Sequence, residues 1–231
     1  MKPLMHALAA FWLCSGATLA DPSPVVVELY TSQGCSSCPP ADDILHQLTR
    51  RDDVIALALH VDYWDYIGWK DEFADPANAE RQRAYAVVAG RQSVYTPQMI
   101  INGETDIVGT RPMRVMDAIK AHQDTPPRVT LDIARNGDTV EIDAQRLAAD
   151  VGPMVVQMLR YTPERETHIT RGENAGKTVV YANVTKDWNV VSEWDGRTPL
   201  DLSVAAPGDA PVVVMIQARG LGPILAAAQL R

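Results

Sequence analysis

Cys35 and Cys38, three positions apart, carry the clearest chemistry in this chain. Disulfide exchange needs a thiolate, and a free thiol is mostly protonated at neutral pH. A helix N-terminus supplies unpaired N–H groups and partial positive charge that stabilise a thiolate. Pro39 and Pro40 follow the pair, where the first turn of a helix tolerates proline, and Ile44, Leu45 and Leu48 then fall at helical spacing. Cys35 therefore stands just before a predicted helix and takes the attacking role. Cys38, one turn later, can resolve the mixed disulfide formed at Cys35. His60 and Asp62 close the next predicted strand and are candidates for moving a proton to or from Cys38. Their plainer readings are a hydrogen-bonded buried imidazole and a turn cap.

A Cys-x-x-Cys pair has other uses. It opens many zinc sites, but these usually add a second pair or histidines at ligand spacing. Downstream, His46, His60, His122 and His168 are scattered. A purely structural disulfide here would close a very short loop and stabilise little. Three readings follow. The first is a thiol–disulfide oxidoreductase acting on a thiol- or disulfide-containing protein or small molecule, with no cofactor beyond the Cys35–Cys38 disulfide. The second is a metal-binding protein, handling copper(I), with Cys35, Cys38 and His60 as ligands. The third is a binding module without turnover.

The elements that must position the pair are legible as apolar runs. Val25 to Tyr30, broken only by Glu28, reads as a buried strand, and Val54 to Val61 as a second. An aromatic connection follows, with Tyr63, Trp64, Tyr66, Trp69 and Phe73, and Pro76 to Ala89 reads as a helix within it. Met99 to Ile101, Asn102-Gly103 and Asp106 to Val108 form a hairpin, and Met113 to Ala121 a closing helix. Thr125-Pro126-Pro127 reads as a linker. Beyond it, Val129 to Ile133 and Val140 to Ile142 alternate around Asn136-Gly137. Met154 to Tyr161, Lys177 to Val184 and Val212 to Ala218 read as further strands, a pattern that suggests a β-sandwich or small barrel.

Several stretches carry a family resemblance. Glu28-Leu29-Tyr30-Thr31-Ser32-Gln33-Gly34-Cys35-Ser36-Ser37-Cys38-Pro39-Pro40-Ala41-Asp42 resembles the signature of a family of secreted bacterial thioredoxin-like proteins of unknown function. His60 to Tyr66 with Gly68-Trp69, Tyr95 to Gly103, and Arg171 to Gly176 resemble its further motifs. The resemblance spans nearly all of the chain after residue 20. It implies an α/β thioredoxin-like domain over 21–125, followed by a mainly-β, sandwich-like domain over 126–231. It also implies a cis Thr96–Pro97 bond lying against the dithiol, with Thr96 offering backbone groups to a bound peptide. A trans proline opening an edge strand is the plainer alternative. Gln33 and Gly34, with Tyr63 and Trp64, are assigned to substrate contact, although aromatic clusters of this kind are more often core. Glu173 and Asn174, between Gly172 and Gly176, read as a tight turn, with docking of a shaped loop against the first domain as the alternative. Ordinary thioredoxins carry tryptophan before the first cysteine and Gly-Pro between the two. Here Gly34 and Ser36-Ser37 stand instead, which leaves the direction of electron flow open.

The remaining composition narrows location and partners. The net charge is −8 and no Lys/Arg cluster stands out, a poor match to nucleic acid or an anionic membrane. Lys2, an apolar run from Leu8 to Leu13 and small residues ending Thr18-Leu19-Ala20 form the three regions of a signal peptide over 1–20; a buried N-terminal helix is the alternative. The run is too short to span a bilayer, and no membrane span is expected in the mature chain. Cys14 would leave with the signal. The expected location is a bacterial periplasm; the oligomeric state is not specified. N-terminal sequencing of protein recovered from a periplasmic extract is expected to begin at or near Asp21, whereas a product retaining Met1 would contradict export.

Overall fold

The computed structural model describes residues 23–231; the signal-peptide expectation, its cleavage point and Cys14 lie outside them. The elements in chain order are β1 (Val25–Thr31), α1 (Pro39–Leu48), β2 (Val54–His60), a short 3-10 helix (Asp65–Ile67), α2 (Pro76–Val88), β3 (Gln98–Ile101), β4 (Thr105–Val108), α3 (Pro112–Gln123), β5 (Val129–Asn136), β6 (Thr139–Arg146), β7 (Met154–His168), β8 (Thr178–Trp194), β9 (Leu200–Ala205), β10 (Val212–Ala218) and β11 (Ile224–Leu230). No helix among the described residues is long and apolar enough to cross a membrane.

Every residue of β1 and β2 is buried, because both faces of these parallel strands are covered. Val25, Val27 and Leu29 face α1 and α3, meeting Leu45, Leu48, Val115 and Ile119. Val26 and Tyr30 face the other way, into a core with Ala79 and Tyr85 of α2 and Leu159, Val213 and Met215. Glu28, the one break in the apolar run, is fully buried. Arg81 of α2 grips both its carboxylate oxygens at 2.8 and 2.9 Å, and the Tyr30 and Tyr85 hydroxyls donate to it. A buried charge is tolerated when paired and hydrogen-bonded in this way.

The fold is mixed α/β and mainly β. One eight-stranded mixed sheet runs β11-β10-β7-β8-β2-β1-β3-β4, and an antiparallel sheet runs β5-β6-β9. Of the strands after the linker, β5, β6 and β9 form the small sheet, whereas β7, β8, β10 and β11 extend the sheet begun by β1 to β4. The sandwich-like layering expected there is local. The three-stranded sheet packs Val129, Val140 and Ile142 against Met154, Val156, Val214 and Ile216 of the large sheet. β7 and β8 are also longer than their apolar cores suggest, because polar extensions such as Thr162 to His168 pair onward across the hairpin.

The seam between the halves is the contact of β2 with β8. Backbone pairing is confined to Ala58 opposite Val184. Side chains do the rest: Asn183 Nδ2 donates to Ala56 O at 2.8 Å and Thr185 Oγ1 to Ala58 O at 3.0 Å. Asn183 sits at φ 47°, a left-handed conformation that asparagine tolerates better than most residues. Asn183→Ala orphans a buried carbonyl and places alanine in that conformation. It is expected to cost about 2–4 kcal/mol in chemical denaturation.

Candidate functional site

β1 and β2 run parallel, so their C-terminal ends share one edge of the sheet. The loop from Ser32 to Ser37 leaves β1 there. β3 is antiparallel to β1 with Gln98 opposite Tyr30, which brings Pro97 to the same edge. Cys35 and Cys38 form a disulfide with Cα atoms 5.4 Å apart. Cys38 is the N-cap of α1, and its carbonyl accepts from Ala41 N and Asp42 N. The loop is closed by Cys35 N donating to Ser32 O and Cys38 N to Cys35 O. Cys38 is fully buried and Cys35 is 4% exposed, while Ser36 and Ser37 face solvent.

Trp64 roofs the loop. A Cβ on Gly34 would lie 3.2 Å from Trp64 Cβ, so the aromatic connection fills the space a side chain before Cys35 would take. Trp64 Nε1 donates to Thr96 Oγ1 at 2.8 Å, and the exposed Tyr66 ring stacks on Trp64. The Thr96–Pro97 bond is cis. A Cβ on Gly109 would lie 3.0 Å from Ala41 Cβ and 3.4 Å from Pro97 Cβ, so Pro97 and the first turn of α1 flank the same glycine.

Beneath the loop lies a buried polar cluster. Asp42 follows Cys38 by four residues, one turn along the same face of α1. Thr31 Oγ1 donates to its Oδ1 at 2.8 Å, and Oδ2 has no hydrogen-bond partner. Burial, with the nearby Asp43 and Asp71 charges, pushes the Asp42 carboxyl well above the usual carboxylate range, against the Thr31 hydrogen bond. A carboxyl that holds its proton more tightly when folded favours the fold below the ordinary carboxylate pKa. That contribution fades as pH rises through the elevated folded value, so ionising Asp42 opposes folding. His60 Nδ1 meets Asp71 Oδ2 at 2.7 Å, with both side chains fully buried. Its Nε2 has no partner, and its ring packs edge-on against Tyr181 and Phe73. Burial, and then the Asp42 and Asp71 charges, raise the Tyr181 hydroxyl.

Several sequence-assigned residues turn out to be internal. Gln33, assigned to substrate contact, is fully buried with all four of its polar groups engaged. Its N–H donates to Asp71, its Nε2 to Thr167 Oγ1, its Oε1 accepts from Trp69 Nε1, and its carbonyl accepts from Asn174. Tyr63 turns toward α2, donating to Gln82 Oε1 at 3.0 Å, and burial pushes its hydroxyl up to about 12. Asp62 is half-buried, and its carbonyl accepts from Asp65 N. Cys35, Cys38 and His60 are not gathered as a ligand set: among the described residues no three His, Cys, Asp or Glu side chains are arranged to hold a metal. Asp42 and Asp71 are the residues that sequence reasoning missed, whereas Asn174, read first as part of a tight turn, reaches the cysteine loop. The signal for Asp42 was an acid on the otherwise apolar helix face of Ala41, Leu45 and Leu48.

Comparisons with known proteins agree in coverage. A protein of Agrobacterium tumefaciens solved by X-ray crystallography is 35% identical, with a TM-score of 0.77, covering 89% of this chain and 93% of its own. HBP35 of Porphyromonas gingivalis is 14% identical with a TM-score of 0.56, covering 90% of this chain and 75% of its own, a likeness of fold alone. No curated protein matches. The family model described as protein of unknown function (DUF1223) matches residues 26–217, and with this span the chain belongs to the DUF1223 family.

Proposed function

We propose that this chain is an exported thiol–disulfide oxidoreductase of thioredoxin-like build, working in a bacterial periplasm on a thiol- or disulfide-containing protein or small molecule. The observation that carries the reading is the Cys35–Cys38 disulfide set at the N-terminus of α1, with Cys38 itself as the N-cap. A disulfide closing so short a loop stabilises a fold little, so its value lies in reactivity. The helix end favours the thiolate that reduction releases. The order β1, α1, β2, then Pro97, β3, β4 and α3, supports the thioredoxin-like description.

In this reading a partner thiolate attacks Cys35 Sγ. The S–S bond breaks and its electron pair leaves on Cys38 Sγ. Asp42, one helical turn away and with its carboxyl pushed up by burial, gives that sulfur its proton. A second partner thiolate then displaces Cys35 from the mixed disulfide, so two partner thiols are oxidised and the protein dithiol is formed. In reverse, Cys35 attacks a partner disulfide, and Cys38, having passed its proton to Asp42, releases the reduced partner. Asp42 takes the proton-transfer role for which His60 and Asp62 are the sequence candidates. His60, tied to Asp71, orients the carboxylate that also holds Gln33 N.

Cys38→Ser is expected to trap mixed disulfides with partners when expressed in a periplasm, visible as dithiothreitol-sensitive adducts on non-reducing gels, while Cys35→Ser traps few or none. Absence of adducts from both variants would favour a module without turnover. Labelling of the reduced thiols blocked by copper(I) and restored by a chelator would favour the metal-binding reading.

A further inference from the structure

The connection from β7 to β8 projects over the dithiol loop. It is closed by its own backbone bonds, Ile169 N to Lys177 O and Gly176 N to Ile169 O. Most of it is exposed, yet Asn174 is 1% exposed. Its Nδ2 gives one hydrogen to Gln33 O and the other to Cys35 O, each at 2.9 Å. On the far side, Lys177 Nζ donates to Asn174 Oδ1 at 2.8 Å. Gly172 seats the loop against Trp69, where a Cβ would come within 3.2 Å of Trp69 Cβ. A tight turn alone does not require a buried amide with every polar group engaged on the cysteine loop and its own lysine.

We propose that Asn174 and Lys177 are positioning residues for Cys35, forming a polar relay that fixes the Cys35 backbone and directs the lysine charge toward it. This rests on the oxidoreductase reading and deepens it, because it makes the β7–β8 loop a determinant of Cys35 nucleophilicity. The amide is oriented by its bonds at both ends. Its positive edge faces the Cys35 carbonyl and its negative edge faces the ammonium. That orientation adds to the helix N-terminus and favours the thiolate over the thiol. The other titratable or charged groups around the site include Asp42, Asp43 and His46 on α1, His60 on β2, Asp62, Asp65, Asp71 and Glu72 in the connecting segment, Arg165 on β7, Tyr181 on β8, and Arg171 and Glu173 on the loop itself. Lys177→Met and Lys177→Arg keep the Asn174 ties of the loop and differ in charge, so a shift between these two variants reports the lysine's part in the relay.

The test uses protein reduced by a phosphine, so it reads the thiol without requiring turnover. The rate of iodoacetamide labelling at Cys35 is followed from pH 4 to 9, with each variant's melting temperature measured alongside. Asn174→Ala is expected to move the labelling midpoint upward by about 0.5–1 unit, and Lys177→Met by about half as much. Labelling below the midpoint then slows by about three- to tenfold in the first case. Lys177→Arg is expected to keep the parental midpoint. The Lys177→Met shift is expected to shrink as salt is raised, because the lysine is exposed. Lys177 lies outside the core, so its variants remain informative if Asn174→Ala does not fold. An unchanged midpoint in Lys177→Met, whatever its stability, would overturn the relay. The oxidoreductase reading fails separately, if Cys38→Ser traps no mixed disulfides.

Discussion

β8 reaches β2 through a single position of backbone pairing, Ala58 with Val184, and side chains supply the hydrogen bonds that flank it. Much of the molecule follows from that seam. It covers the edge of β2 that would otherwise be left open in the first half of the chain, and it carries the β7–β8 hairpin across to the dithiol edge. From there Asn174 reaches the carbonyls of Gln33 and Cys35, and Thr167 reaches the Gln33 amide. A sheet ending at β2 would present the cysteines with nothing over them on that side. The architecture thus makes the two halves of the chain joint owners of one small loop.

The loop is held by polar contacts in a largely buried setting, which is an energetically expensive arrangement. Gln33 engages four separate groups, Asp71 joins His60 to Gln33 and Phe73, and Asp42 leaves one oxygen unpaired. Fully satisfied networks rigidify what they surround, whereas an unpaired buried carboxyl costs stability and is a physical pointer to chemistry. Glu28 shows the contrast. It is as deeply buried, but Arg81 and two tyrosine hydroxyls satisfy it, and it serves to tie α2 to the sheet.

The elements nearest the cysteines were legible because burial on both faces writes them as apolar runs. β1, β2, α1 and the β3–β4 hairpin fall where the sequence puts them, within a residue or two. The partnership of strands was not legible. Nothing local in Thr178 to Trp194 says that its neighbour is β2, since the deciding residues, Asn183 and Thr185, are ordinary polar side chains in a strand. Adjacency also misled: Gln33 lies two positions before Cys35, and its neighbours in space turn it inward. The buried acid of α1 was missed because an aspartate in a first helical turn usually reads as a favourable surface charge at the helix N-terminus.

The direct test of the dithiol's role is its reduction potential, measured by equilibrating the protein with glutathione or dithiothreitol buffers and quantifying free thiols at Cys35 and Cys38. A reversible two-electron transition between about −120 and −270 mV, the span of known exchange proteins, is the expected result. A disulfide that stays oxidised until below about −300 mV, as structural disulfides do, would contradict the account.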